Sequence, residues 1–191
     1  ILQAAKEKGL EKIVYTSTVG CIGLNEDKTP ATENTFFNKN TLSNDYKKSK
    51  YQAEQVVLEF ARGGLPVVIV NPSTPVGPRD IKPTPTGKII LDFLNREMPA
   101  YLDTGLNLID VKDCARGHIL AEQKGIPGER YILGNQNMSL LDILVTLETI
   151  TGFKAPRIKM PFWVALSAGW VCEMVSNHVT GKPPAVPLAG V

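Results

Sequence analysis

The stretch Tyr46-Lys47-Lys48-Ser49-Lys50 begins the segment that decides the fold, because it starts a helix between two β-prone runs. The first run is residues 12–16 (KIVYT) and the second is residues 66–71 (PVVIVN). Glycines at positions 63 and 64 end the helix. A strand, a helix and a strand in this order predict a right-handed crossover unit of a parallel β-sheet. The helix is predicted from an apolar stripe at helical spacing, formed by Tyr51, Ala53, Val56, Val57, Phe60 and Ala61.

The same stretch holds a candidate acid/base pair. Tyr46 and Lys50 are four residues apart, a spacing that places a phenol and an ammonium on one face of a helix. A nearby cation favours the charged form of a phenol, so such a pair can move a proton near neutral pH. Tyr-x-x-x-Lys is also common at a solvated helix start, and the motif alone leaves both interpretations open.

Composition and charge exclude several function classes. The 191 residues carry a formal net charge of +2 without a lysine or arginine tract, so no nucleic-acid partner is indicated. The three cysteines lack metal-ligand spacing and only two histidines are present, so no metal site is expected. Single buried thiols and no secretory leader are typical of a reducing, cytoplasmic location.

The remainder of the chain predicts further elements after a proline-punctuated loop at residues 72–85. They are a helix that begins near Thr86, a strand at residues 107–111, a helix that Lys112 or Asp113 opens, a strand at residues 130–133, and a helix from Leu140 that Ser139 caps.

The two ends of the chain carry their own expectations. Residues 1–9 are typical of the last turns of a helix closed by Gly9, so the chain is expected to be a fragment that begins inside an element. Residues 162–175 predict a helix that is apolar on more than one side, yet shorter than the ~20 residues of a membrane span. Either a helix of a small lobe or a peripheral membrane contact fits this pattern.

Three motifs in order carry a family resemblance. A strand ends in Thr16-Ser17-Thr18, a helix holds the Tyr46/Lys50 pair, and the next strand ends in Asn71-Pro72-Ser73-Thr74-Pro75. This set resembles the extended short-chain dehydrogenase/reductase family of NAD-dependent sugar epimerases and dehydratases. Residues 71–87 together with 98–107 look most like the hopanoid-associated sugar epimerases, and dihydroflavonol-reductase-like proteins are near relatives.

The resemblance implies catalytic residues. Tyr46 matches the family's catalytic tyrosine, and Lys50 matches the lysine that also binds the nicotinamide ribose. Thr18 matches the hydroxyl residue that hydrogen-bonds the reacting oxygen of the substrate. Ser17 is the alternative for that role and a further cofactor contact.

The resemblance also implies residues that contact ligands mainly from the second strand. Val70, Asn71, Pro72 and Ser73 match the segment that passes the nicotinamide, largely through backbone, and Asn71 is a further substrate contact. Arg79 faces a substrate phosphate in this interpretation, or is an ordinary surface arginine. Asp113 is expected to cap a helix.

For the whole chain, the resemblance implies the C-terminal part of a doubly wound, Rossmann-like parallel sheet plus a small α/β substrate lobe. The division falls at residues 1–78 and 79–191. The cofactor is NAD or NADP, although the family's glycine-rich phosphate loop is absent from this sequence. The substrate is a sugar or related alcohol, and a carbonyl reductase or a non-catalytic binding protein remains the alternative. A homodimer is implied through two helices, the one that precedes residues 12–16 and the one that carries Gln52, Gln55, Val56 and Glu59.

Overall fold

The computed structural model describes residues 1–25, 27, 29–35, 37, 45–161 and 163–164. The predicted helix at residues 162–175 lies almost entirely outside the described residues. No helix within the described part of the chain is long and apolar enough to cross a membrane.

The elements follow one another along the chain in a mixed α/β order. The helices are α1 (Leu2–Glu7), α2 (Asp45–Arg62), α3 (Pro85–Leu94), α4 (Val111–Lys124) and α5 (Leu140–Thr151), with a 3₁₀ turn η1 (Val19–Cys21). The strands are β1 (Ile13–Thr16), β2 (Val67–Pro72), β3 (Thr74–Val76), β4 (Tyr101–Leu102), β5 (Gly105–Asp110), β6 (Arg130–Leu133), β7 (Gln136–Ser139) and β8 (Lys159–Met160).

The main sheet has the strand order β1-β2-β6, and both pairings are parallel. Thr16 pairs with Val70, and Val70 pairs in turn with Tyr131. The predicted parallel crossover from β1 through α2 to β2 is therefore confirmed in its elements and strand direction. The side chains of β1 are only half-buried or exposed, because β1 lies at the border of the described sheet and has a neighbour on one side only.

Helix α2 covers one face of this sheet. Val57 is 1% exposed and packs with Leu65, Val67 and Ile69 into a core cluster. Val56 was predicted to belong to the apolar stripe but is 47% exposed. Adjacent helix positions are rotated by about a quarter turn or more, so the burial of Val57 turns Val56 towards the outside.

Several predicted boundaries are wrong in an instructive way. The proline-punctuated loop contains a strand, β3, which pairs with β5. α3 begins at Pro85, earlier than predicted, because the Thr84 hydroxyl accepts from the Gly87 amide. The α4 cap is Asp110, whose carboxylate accepts from the Lys112 amide at 2.7 Å, so the cap predicted at Asp113 is wrong. The Ser139 cap of α5 is confirmed and forms a reciprocal capping box with Asp142.

The chain divides into two compact units. The first contains residues 1–79 and 107–136, and therefore the whole β1-β2-β6 sheet with α2 and α4. The second contains residues 80–106 and 137–191, with a core of Phe93, Leu140, Leu144 and Ala155.

Candidate active site

The candidate site lies in the first unit, where β1 and β2 end. Because parallel strands share their direction, their carboxyl ends meet at one edge of the sheet, the usual place for ligands in open α/β sheets. The backbone N–H of Ser17 donates to the Val70 carbonyl at 2.8 Å. The Asn71 side-chain amide donates to the Thr18 carbonyl at 2.9 Å. The structure thus brings together Ser17, Thr18, Val70 and Asn71, four of the predicted site residues.

The Thr18 hydroxyl has a structural partner. Its oxygen accepts from the Gly20 backbone N–H at 3.2 Å and caps the 3₁₀ turn η1. A hydroxyl keeps one proton to donate when its oxygen accepts. Thr18 can therefore cap the turn and still donate a hydrogen bond to a ligand.

Three buried polar atoms at these strand ends lack a hydrogen-bond partner among the described residues. They are the hydroxyl oxygens of Ser17 and Ser73 and the amide oxygen of Asn71. The Ser17 hydroxyl lies near the Cys21 thiol, which is only a weak hydrogen-bonding group. Leaving a buried polar group unsatisfied costs about 1–3 kcal/mol. Unsatisfied polar atoms at the ends of β1 and β2 are therefore candidate ligand contacts.

The Tyr46/Lys50 pair lies on α2, which packs against η1. Lys50 Nζ is 5.8 Å from the centroid of the Tyr46 ring. Tyr46 is 62% exposed, so its hydroxyl is open to an incoming molecule. Ser49 donates to the Tyr46 carbonyl at 2.9 Å.

Glu54 is the residue that sequence reasoning missed. It lies one helical turn after Lys50 and two after Tyr46, so the three share one face of α2. It is 0% exposed, and Oε2 accepts from Asn71 Nδ2 at 2.8 Å. Arg130 of β6 approaches Oε1 at 3.4 Å. The available signal was a carboxylate inside an apolar helix stripe, which is rarely buried without a partner.

Burial also changes the titration of groups beside Glu54. The pKa of the Cys21 thiol is raised, mainly because the thiol is buried and further because the Glu54 carboxylate is near. The pKa of Tyr15 is raised by burial first, and then by the charges of Cys21 and Glu54. This end of the sheet therefore favours neutral thiol and phenol groups.

The remaining predicted site residues differ in their exposure and in their hydrogen bonds. Val70 is 0% exposed and its carbonyl accepts from the Ser17 N–H, and Pro72 is the last residue of β2. The Ser73 N–H donates to the Leu133 carbonyl at 2.9 Å, which ties the segment to β6. Arg79 is exposed and has a positive φ of 75°, and no ion pair joins it to another described residue.

Comparisons with known proteins fit this geometry. A model of the NAD dependent epimerase/dehydratase family matches residues 1–134. A protein named "Putative dihydroflavonol 4-reductase" from Synechocystis sp. is 52% identical over 195 residues, which cover 100% of this chain and 57% of that protein. Sterol demethylase protein B from Methylococcus capsulatus is 34% identical over 161 residues, covering 84% of this chain and 49% of that protein.

A solved structure gives the same result. A nucleoside-diphosphate-sugar epimerase from Pseudomonas aeruginosa superposes with a TM-score of 0.81 at 28% identity, covering 91% of this chain and 57% of that one. The expected α/β fold with a Rossmann-like parallel sheet is thereby confirmed. The chain spans about half the length of the curated relatives it matches. Motifs, fold and sequence similarity agree, and the chain belongs to the NAD-dependent epimerase/dehydratase family.

Proposed function

We propose that this chain is the catalytic half of an NAD(P)-dependent oxidoreductase that interconverts a secondary alcohol and a ketone. The observation that carries the proposal is the Tyr46/Lys50 pair on α2, on the helix face that reaches the strand ends through Glu54. A phenol open to solvent beside an ammonium suits proton exchange with a substrate hydroxyl. In this proposal the chain works within a longer polypeptide of the kind its relatives have.

The residues at the strand ends fit the nicotinamide end of NAD(P). The unpartnered Ser17, Asn71 and Ser73 atoms offer two hydroxyls and one acceptor oxygen, which match a carboxamide and a ribose. We assign Lys50 to the ribose hydroxyls, and we assign the backbone of Val70 and Pro72 to the ring. The sequence carries no glycine-rich loop for the pyrophosphate, so this half alone holds one end of the cofactor.

The chain's own residues would handle the proton. Tyr46 takes a proton from the substrate hydroxyl during oxidation and returns it to the oxygen during reduction. Thr18 donates its hydroxyl proton in a hydrogen bond to the same oxygen while its own oxygen stays on the Gly20 amide. Lys50 keeps a positive charge beside the phenol as its proton leaves. The bound cofactor supplies the hydride acceptor or donor.

Two finer reactions are supported by different observations. The Synechocystis relative, at 52% identity, favours an NADPH-dependent carbonyl reductase like the dihydroflavonol reductases. The epimerase superposition at 28% identity favours an epimerase or dehydratase of a nucleotide-sugar-like substrate. Within that class, residues 71–87 and 98–107 resemble the hopanoid-associated sugar epimerases. In the sugar reaction Arg79 would pair with a substrate phosphate.

The test is an assay of the full-length protein, meaning this chain within a longer polypeptide of the kind proposed above. Purified protein is mixed with NAD(P)H and a panel of ketones, and with NAD and a panel of nucleotide sugars. A reductase consumes one cofactor per product, whereas an epimerase changes the sugar without net consumption of cofactor. Bound NAD(P) without turnover on either panel would favour a binding protein and would overturn the proposal.

A further inference from the structure

A buried hydrogen-bond network fixes one side chain of the site. Asn71 is 0% exposed, and its Nδ2 donates both to Glu54 Oε2 at 2.8 Å and to the Thr18 carbonyl at 2.9 Å. Both partners are acceptors only, because a carboxylate and a carbonyl have no proton to give. The two amide protons of Asn71 are therefore both used.

This pattern settles which way the Asn71 amide points. If the amide were turned over, its oxygen would face two other acceptor oxygens, and the amide nitrogen would occupy the unpartnered position. The electrostatic cost of that arrangement is largest in a buried place, where water cannot separate the like charges. Oδ1 is thus held away from Glu54 and has no partner among the described residues.

Glu54 is itself held by a neighbouring strand. Arg130 of β6 approaches Glu54 Oε1 at 3.4 Å, and its second terminal nitrogen donates to the Glu33 backbone carbonyl. The Glu33 carboxylate accepts from the Ile132 backbone N–H at 2.9 Å. The carboxylate of Glu54 therefore joins three elements, α2, β2 and β6, at the end of the sheet.

We propose that Glu54 is a positioning residue, which locks the Asn71 amide so that the site presents a hydrogen-bond acceptor. The ligand group that meets Asn71 is consequently a donor, such as a hydroxyl or an amide N–H, and not a carbonyl or a phosphate oxygen. The inference rests on the proposed function, since it assigns the donor to the cofactor or substrate of that same site.

The kinetic test uses substitutions in the full-length protein. Glu54→Met has similar length but no acceptor, so the amide is released and kcat/KM is expected to fall about 10- to 100-fold through misplacement of the ligand. Glu54→Gln keeps an oxygen that can accept from Asn71 and should recover part of the loss. Val57→Ala, from the same helix and also buried, is the control that lowers the melting temperature without lowering kcat/KM of the folded protein.

A double-mutant cycle separates positioning from simple destabilisation. If Glu54 acts through Asn71, Glu54→Met should change kcat/KM by no more than about twofold in an Asn71→Ser background. The proposal would be overturned if the loss of kcat/KM in the double variant equalled the product of the two single losses. It would also be overturned if Glu54→Met kept the kcat/KM of the wild type. If Glu54→Met does not fold, Glu54→Leu, which also lacks an acceptor, takes its place in the cycle, and the same outcomes decide.

A second readout needs no turnover. In the wild-type protein both side-chain amide protons of Asn71 should exchange slowly with solvent in an NMR experiment, with the signal assigned by its loss in Asn71→Ser. Glu54→Met should speed the exchange and shift the signal. An unchanged Asn71 signal would overturn the positioning role, even if the enzyme proved inactive and the proposed function failed.

Discussion

Lys50 Nζ lies over the ring of Tyr46, 5.8 Å from its centroid, one helical turn away on α2. A cation within about 6 Å of an aromatic ring is attracted by the negative face of the ring. The contact orders the two side chains relative to each other, although Tyr46 is largely exposed. The ammonium and the phenol are thus neighbours in the folded chain.

Tyr46→Phe tests the proton transfer in the full-length protein. The substitution removes only a hydroxyl on an exposed ring, so turnover should fall roughly 10²- to 10⁴-fold while the melting temperature stays the same. Tyr131→Phe is the matched control. The Tyr131 hydroxyl accepts from the Ile126 backbone N–H at 3.0 Å, so its loss should lower stability by about 0.5–1.5 kcal/mol and leave turnover intact. Full activity in Tyr46→Phe would contradict the catalytic assignment.

Lys50 and Tyr46 should act as one unit. Lys50→Ala is expected to weaken cofactor binding and to lower turnover, and adding it to Tyr46→Phe should lower turnover little further. Lys48→Ala serves as the control, because Lys48 forms only an exposed ion pair with Asp45 at 3.4 Å. Steady-state kinetics of the four proteins checks the prediction, and multiplicative losses would argue for two independent roles.

Thr18 has two functions in this structure, and substitutions separate them. Thr18→Ser keeps the hydroxyl that caps η1 and should preserve both stability and turnover. Thr18→Val removes the cap, worth about 1 kcal/mol, together with the hydrogen bond to the reacting oxygen. We expect a lower melting temperature and lower turnover for Thr18→Val. Normal turnover in Thr18→Val would leave the residue with its capping role alone.

The elements that sequence patterns predicted well are those whose signals are local. β2 is a continuous apolar run and all of its residues except Pro72 are buried, while Ser139 and Asp142 carry a complete capping signal. β3, β4, β7 and β8 were missed, since each has only two to four residues and exists through pairing with another segment of the chain.

The residues of the candidate site could also be predicted where their signal is local. The Tyr46/Lys50 pair and the strand-end residues follow from spacing and order, so they could be named from the sequence. Glu54 could not, because the apolar stripe around it gives no sign that Asn71 and Arg130 lie close enough to compensate a buried carboxylate. The partners that satisfy the buried Glu54 carboxylate are distant in the sequence: Asn71 is 17 positions away and Arg130 is 76 positions away.

The isolated chain should bind NAD or NADP poorly, because its sequence lacks the glycine-rich loop that holds the pyrophosphate. Calorimetric titration of residues 1–191 with each cofactor is expected to give a Kd weaker than micromolar, which corresponds to less than about 8 kcal/mol of binding free energy. The full-length protein titrated in parallel is the positive control. Micromolar binding by the isolated chain would show that the residues present hold the cofactor without that loop.

An exposed strip on α2 is the surface where we expect a second copy to pack. Val56 is 47% exposed, with Gln52 and Glu59 exposed beside it on the same helix. Val56→Lys places a charge in such an interface and should shift a dimer towards monomer, as measured by light scattering of the full-length protein. Leu24→Lys, at an apolar residue 82% exposed outside α2, should leave the mass unchanged. A wild-type protein that stays monomeric would remove the basis for this interface.

Stability should fall in alkaline solution because folding keeps buried thiol and phenol groups neutral. Burial raises the pKa of Cys21, Cys114 and Tyr15 above their values in an unfolded chain. A group with a raised pKa in the folded state binds its proton more tightly there than in the unfolded state. Its contribution to stability is complete below the unfolded pKa and is lost as the pH rises through the folded pKa.

The free energy of unfolding should therefore begin to fall near pH 8.5, where an exposed thiol titrates, and should fall further through the phenol range near pH 10. Denaturant titrations from pH 7 to about pH 10 measure it. Cys21→Ala removes one of the groups that must stay neutral, so its stability should decline less steeply with pH, even if the smaller side chain lowers stability at every pH. Identical slopes for wild type and Cys21→Ala would show that the Cys21 thiol does not carry the alkaline loss.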